Sequence, residues 1–316
     1  MNERNSGMEY RTLGKTGLEV SIISFGAAPL GSEYRNIDES EGISAVHTAL
    51  DLGVNFIDTS PYYGRTESEI VLGKALGTVD RDQYYLATKV GRYGLQDFDF
   101  TSDRVIKSVD QSLARLRIDY IDLIQCHDIE FVDLDVVVDE TLPALRKVQK
   151  QGKVRFIGIT GLPLKIFRYV LERTNVDTIL SYCRYSLNDI SLGGLIPALE
   201  DKNVGIISAS PLSMQLLTNK GAPDWHPADN EIKAACVKAA EHCRNKGADI
   251  AELGLQFALA NPRIHTTLMG TANPRNVKKN IACVNQRPNT QLLAEILEIL
   301  DPVRNKTWTS GRLENN

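Results

Sequence analysis

Apolar runs of strand length alternate with stretches of helical period along nearly the whole chain. Eight runs read as strands: "SIISFGA", "NFIDTS", "YYLATKV", "YIDLIQCHD", "VRFIGITG", "DTILSYC", "VGIISAS" and "TTLMGTA". Helix signals lie between them. Ile106, Val109, Leu113 and Leu116 recur at spacings of three and four, which predicts one apolar stripe. Leu142, Leu145 and Val148 repeat the pattern and stop before Gly152. Pro163 sits where a first helical turn tolerates it. Thr66-Glu67-Ser68-Glu69 has the spacing of a capping box opening "SEIVLGKAL". "NTQLLAEILEILDPV" predicts a last amphipathic helix, and "MEYRTLGKTGLEVS" predicts a hairpin around Lys15-Thr16-Gly17.

Strands separated by helices predict an α/β fold with a parallel sheet, and eight of them is the number that closes a (β/α)₈ TIM barrel, here with an N-terminal β-hairpin. An open doubly wound sheet remains the rival, because a pattern does not show closure. No linker, repeat or low-complexity segment divides residues 1–316, so one domain is expected, with 1–7 and 305–316 as flexible tails. Two long polar loops follow strand ends: "HDIEFVDLDVV" after the fourth strand and "PLSMQLLTNKGAPDWHPADN" after the seventh. Barrel enzymes keep their chemistry at that end of the strands.

Charge narrows the class. A net charge of −4, from 36 basic and 40 acidic residues interspersed, offers no stripe for nucleic acid and no polybasic patch for a membrane. Five cysteines without finger or C-x-x-C spacing suggest a reducing compartment. No apolar signal core opens the chain and no run approaches membrane-spanning length, so a cytoplasmic protein is expected.

On the barrel reading, Asp58 ends the second strand, Lys89 the third and His127 the fourth, at intervals of 31 and 38 positions. Each interval is about one βα unit of ~30 residues or a little more, so the three side chains meet at one rim. Tyr63, on the turn after Asp58, leans in beside them. An unperturbed phenol titrates near ~10, too high for easy proton exchange at neutral pH. A lysine ammonium beside it favours the phenolate, and an aspartate holds that ammonium in place. A neutral imidazole can orient the substrate oxygen. The four supply neither nucleophile nor electron acceptor, which points to hydride transfer by a cofactor.

At these residues the chain, from about Tyr10 to Asn285, resembles the aldo-keto reductase superfamily. The hallmark D-x-x-x-x-Y-G stands as Asp58-Thr-Ser-Pro-Tyr-Tyr63-Gly64, the lysine as Thr88-Lys89 and the histidine as Gln125-Cys126-His127. The resemblance implies that Tyr63 donates or accepts the proton, that Asp58 and Lys89 tune it, and that His127 orients the substrate. The segments "FGAAPLGSEY", "TKVGRYG", "LSYCRYSLND" and "MGTANPRNVKKN" are similar to those of the superfamily's sugar dehydrogenases. They imply a sugar substrate oxidised at C1 with Tyr63 as base.

No G-x-G-x-x-G or P-loop occurs, so a dinucleotide would lie against the loops after strands seven and eight. The resemblance assigns it Gly26, Ser210, Leu212, Gly270, Thr271, Asn276 and Asn280, with Thr160 and Tyr182 standing where relatives hold the nicotinamide amide. Gly270 and Asn276 replace two cations common in NADPH-preferring relatives, so NAD is expected over NADP, although Arg275, Lys278 and Lys279 lie nearby. Trp308, with Trp225 and His226, is expected to wall the substrate pocket. The expected state is a monomer or weak dimer.

Each of these residues has a plainer reading alone: a loop carboxylate, a solvated strand-end lysine, an aromatic packed over the mouth, a core histidine. What favours chemistry is their coincidence at successive strand ends. Other classes stay open: an NADP(H)-dependent aldehyde or ketone reductase, a cofactor-holding regulatory subunit, and a metal-dependent barrel hydrolase. The last is opposed by a lysine at the centre and by the lack of a His-x-His pair; no metal site is expected.

Overall fold

The computed structural model describes residues 7–32 and 36–316. Residues 1–6 of the expected N-terminal tail, and Glu33 and Tyr34 of "FGAAPLGSEY", lie outside the described residues. The strands are β1 (Tyr10–Thr12), β2 (Glu19–Ser21), β3 (Ile23–Gly26), β4 (Phe56–Asp58), β5 (Tyr85–Val90), β6 (Ile121–Cys126), β7 (Val154–Gly161), β8 (Thr178–Tyr182), β9 (Gly205–Ala209) and β10 (Thr266–Gly270). β3 to β10 pair in parallel in chain order, and β10 returns to β3 through Thr267↔Ile23 and Gly270↔Gly26, closing the barrel. The open-sheet alternative is thereby removed.

β1 and β2 form the predicted antiparallel hairpin, with Tyr10 opposite Ser21. Leu13, Leu18 and Val20 insert into the bore against Phe56, Ala87, Leu123, Leu180, Ile207 and Leu268. The Lys15 N–H donates to Asn203 O at 2.8 Å, two residues before β9 begins, so the plug sits at the N-terminal end. Each fully buried leucine there contributes about 1.5–3 kcal/mol relative to exposure.

Strand periodicity then positions the chemistry. Phe56, Ala87 and Leu123 face the bore, so Asp58, Lys89 and Gln125, each two residues on, face it one layer higher. The residues that alternate with them face out: Ile57 and Leu86 pack beneath one set of helices, and Val90, Ile124 and Cys126 beneath another.

Three local expectations need correction. Thr66 adopts φ 82 and makes no side-chain cap, while Glu69 is buried. Its carboxylate accepts from Thr88 Oγ1 at 2.6 Å and from Arg115 Nε at 2.6 Å. A buried ion pair with a second strand partner outcompetes a local cap. On the helix Ser102–Leu116 the buried face runs through Val105, Val109, Ser112 and Leu116, leaving Ile106 and Leu113 only half-buried. Pro163 stands just before the helix Leu164–Arg173, at the capping position.

The segment 305–316, expected as a flexible tail, is packed. Asn315 is buried, and its Nδ2 donates to Glu130 O and Val132 O, both at 2.9 Å. Among the described residues no helix is long and apolar enough to cross a membrane.

Candidate active site

Asp58, Tyr63, Lys89 and His127 gather at the C-terminal rim. Lys89 is 1 % exposed, and its Nζ donates to Asp58 Oδ1, to Thr59 O at 2.8 Å and to Tyr63 Oη at 3.2 Å. An ammonium on the phenolic oxygen stabilises that oxygen whenever it carries negative charge. Gln125 Nε2 donates to Asp58 Oδ2 at 2.7 Å, so both carboxylate oxygens are held. Burial pushes the Asp58 carboxyl up against the opposing pull of Lys89.

The turn carrying Tyr63 is set by backbone contact. Gly64 adopts φ 60, and a Cβ there would lie 2.0 Å from Gly31 O, so only glycine lets the turn press against the loop after β3. The Tyr63 ring stands edge-on to His127, with centroids 5.6 Å apart.

His127 is buried, and burial, assisted by the nearby cations of Lys89 and Arg92, lowers its pKa to about 3 despite the opposing Asp128. The ring is therefore neutral, and its surroundings choose the tautomer. Ser60 Oγ accepts from the Tyr62 N–H at 3.1 Å and lies 3.0 Å from His127 Nδ1. The Asp128 carboxylate, its Oδ2 3.7 Å from Nε2, favours the proton on that nitrogen, with the Ser60 hydroxyl then donating to Nδ1.

Two adjoining cavities meet at Tyr63. The first, about 590 Å³, is lined by Gly26, Ser210, Leu212, Gly270, Thr271, Asn276 and Asn280, and touches Asp58 and Tyr63. One wall is the helix Pro274–Ala282, and the loop after β9 turns through left-handed residues Ser210, Ser213, Met214 and Gln215. The second, about 650 Å³, is lined by Lys89, His127, Thr160, Tyr182 and Trp308, with Tyr62, Arg92 and Asp128. Thr160 and Tyr182 thus line the second cavity alone, where of the other residues expected to hold a cofactor only Ser210 also stands. Their hydroxyls already have protein partners. Thr160 Oγ1 accepts from Asp128 N–H at 2.8 Å and donates to Asp128 Oδ1 at 3.2 Å, while Tyr182 donates to Glu130 Oε1 at 3.0 Å. The hydrogen bond expected from Thr160 to a nicotinamide amide therefore has its proton committed elsewhere.

Arg92 pairs with Asp128 at 2.5 Å and lies 4.0 Å over the Tyr62 ring. Burial opposes ionisation of Asp128, but the Arg92 guanidinium, paired with it, and the Lys89 ammonium hold its carboxyl below the usual value. Ser60, Arg92, Gln125 and Asp128 were not expected as site residues, nor was Glu130 expected behind the wall of the second cavity. Counting inward by twos from Leu123 would have found Gln125, and the acidic pair in "HDIE" beside His127 was a visible signal. Trp308 packs edge-on against His226, with centroids 4.9 Å apart, on the second cavity's rim. Trp225 is 54 % exposed and borders both cavities. Among the described residues, no group of three His, Cys, Asp or Glu is placed to hold a metal ion.

Residues 22–301 match the model of the aldo/keto reductase family. The chain belongs to the aldo/keto reductase family. It is 51% identical to the L-galactose dehydrogenase of Arabidopsis thaliana, across 98% of this chain and 99% of that one. It is 34% identical to the D-arabinose 1-dehydrogenase of Saccharomyces cerevisiae, over 76% of each. The holo form of the aldo-keto reductase AKR11C1 from Bacillus halodurans superposes with a TM-score of 0.79 at 28% identity, covering 96% of this chain and 98% of that one. The chain is accordingly an oxidoreductase acting on CH–OH groups, of a family that uses nicotinamide cofactors.

Proposed function

We propose that the protein oxidises L-galactose at C1 to L-galactono-1,4-lactone, with NAD as hydride acceptor and Tyr63 as general base. The observation that carries this reading is the place of Tyr63 Oη, 3.2 Å from Lys89 Nζ, at the seam of two cavities. Near full-length similarity to an enzyme named L-galactose dehydrogenase supports the choice of sugar.

The first cavity fits a dinucleotide. The loop after β9, with Ser210 and Leu212, offers a site for a pyrophosphate, and Thr271, Asn276 and Asn280 supply neutral polar groups for the adenosine half. When bound, the cofactor takes the hydride. Gly270 and Asn276 bring no cation, and Lys279 is paired with Asp249 at 2.5 Å, which favours NAD over NADP.

The sugar occupies the second cavity. His127 Nε2–H donates to the anomeric oxygen and orients it. Tyr63 takes the hydroxyl proton as the C1–H bond gives up its electron pair, and the C1–O bond becomes a carbonyl. Lys89 steadies the phenolate before the step and Asp58 steadies Lys89. Arg92 and Asp128 face the remaining hydroxyls. We place the reaction in the cytoplasm as a step toward ascorbate, carried by a monomer or weak dimer.

The test is a spectrophotometric screen of L-galactose, L-fucose, D-arabinose and pyridoxal with each cofactor. L-galactose with NAD should give the highest kcat/KM. Tyr63→Phe should fold and lose about 10²–10⁴ of turnover. Preference for D-arabinose, or a fully active Tyr63→Phe, would overturn the reading.

A further inference from the structure

The second cavity is completed by the end of the chain, and three of the hydrogen bonds that dock that end fall on Glu130. Trp308, Thr309, Ser310 and Gly311 line the cavity. Ser310 Oγ donates to Glu130 Oε1 at 3.1 Å, and the Arg312 N–H donates to the Glu130 carbonyl at 2.9 Å. Asn315 Nδ2 reaches the same carbonyl, also at 2.9 Å. Gly311 crosses at φ 73 so closely that a Cβ on it would lie 2.2 Å from Glu130 O.

The barrel grips the same side chain from the other side. Tyr182 Oη donates to Glu130 Oε1 at 3.0 Å, and the Leu162 N–H donates to it at 3.2 Å. Three donors, from β8, from the residue after β7 and from the C-terminal segment, converge on one acceptor oxygen. Glu130 is fully buried, and its Oε2 has no hydrogen-bond partner among the described residues. It does not line either cavity, so it acts through what it holds.

We infer that Glu130 is a positioning residue that clamps the C-terminal segment onto β8, builds the outer wall of the second cavity, and thereby sets affinity for the aldose. This rests on the reading of that cavity as the sugar site. A buried acceptor shared by three donors fixes their relative positions, and removing it leaves each donor to find a new partner. The segment 308–311 then loses its side-chain anchor at Ser310 and keeps the bonds that Arg312 and Asn315 make to the main-chain carbonyl of residue 130, while the Tyr63–Lys89–Asp58 relay stays intact.

The experiment combines hydrogen–deuterium exchange of the 305–316 peptide with sugar kinetics and cofactor titration. Glu130→Ala should speed exchange in that peptide about tenfold or more. It should also raise KM for L-galactose about tenfold, leave kcat within about threefold, and leave the NAD Kd unmoved. Glu130→Gln keeps an acceptor oxygen and should restore both protection and KM. Gly311→Val should mimic Glu130→Ala with Glu130 intact, and carries the test should Glu130→Ala not fold. Unchanged exchange in Glu130→Ala, a rise in KM without faster exchange, or failure of Glu130→Gln to rescue would each overturn the inference. Exchange is read without substrate, so if L-galactose proves not to be the sugar, the docking still stands or falls separately, with KM taken for the aldose that is oxidised.

Discussion

Ser60 Oγ lies 3.0 Å from Nδ1 of His127, and a hydroxyl donating there leaves the ring proton on Nε2, the nitrogen that faces Asp128. The contact joins the turn after β4 to the end of β6, two elements brought together only by the barrel. Its effect is chemical rather than structural, because a neutral imidazole can donate from one nitrogen alone.

Ser60→Ala therefore releases the tautomer without disturbing packing. We expect kcat/KM for the aldose to fall about threefold to tenfold, roughly the worth of one modest hydrogen bond, with thermal stability little changed. Unaltered kcat/KM would show that the ring holds its tautomer by other means.

The Lys89–Asp58 pair is nearly inaccessible, at 1 % and 2 % side-chain exposure. Removing one partner leaves the other buried without its counter-charge. Lys89→Met should cost about 3–5 kcal/mol in urea unfolding, and the double variant with Asp58→Asn should cost less than the two single changes added together. Strict additivity in that cycle would mean the two groups are not coupled.

Glu130 gives stability a pH signature. Burial, then the neighbouring Asp128, push its carboxyl from an ordinary 4.5 up to about 8. The folded chain thus keeps a proton that the unfolded chain has released, so the associated stability is complete below about 4.5 and is lost as pH rises through about 8. Glu130→Gln cannot titrate, and from about pH 5 to about pH 8 its stability should gain on the parent by on the order of a few kcal/mol. His127, lowered to about 3, acts in the opposite sense, removing stability as pH falls below 6.5, but it is common to both chains and cancels. Parallel pH profiles by chemical denaturation would contradict the assignment.

Cofactor preference is open to reversal. Gly270→Lys with Asn276→Arg supplies two cations beside the first cavity, and NADP should bind about tenfold or more tighter, with NAD little affected. Fluorescence titration measures both, and an unmoved NADP Kd would place the adenosine half elsewhere.

The barrel and its rim were legible because both follow from period. Runs such as "YYLATKV" and "YIDLIQCHD" are strands in the structure, and stepping inward by twos from Ala87 and Leu123 reaches Lys89 and Gln125. What escaped depends on partners distant in the chain. Thr66 to Glu69 has every local mark of a capping box, yet Glu69 is claimed by Arg115, 46 positions away. Thr160 looked available until Asp128 took its hydroxyl. Glu130 sits in plain view beside His127, but its meaning comes from Ser310, 180 positions later, and no local pattern announces a contact of that span.

The hairpin of Leu13, Leu18 and Val20 stoppers the floor of the bore, which makes the barrel a blind well. Both cavities lie at the opposite, C-terminal end of the strands and share Tyr63 between them. Sugar and cofactor therefore come to the phenolic oxygen from the rim and from neighbouring cavities, and the floor of the bore offers neither a way through.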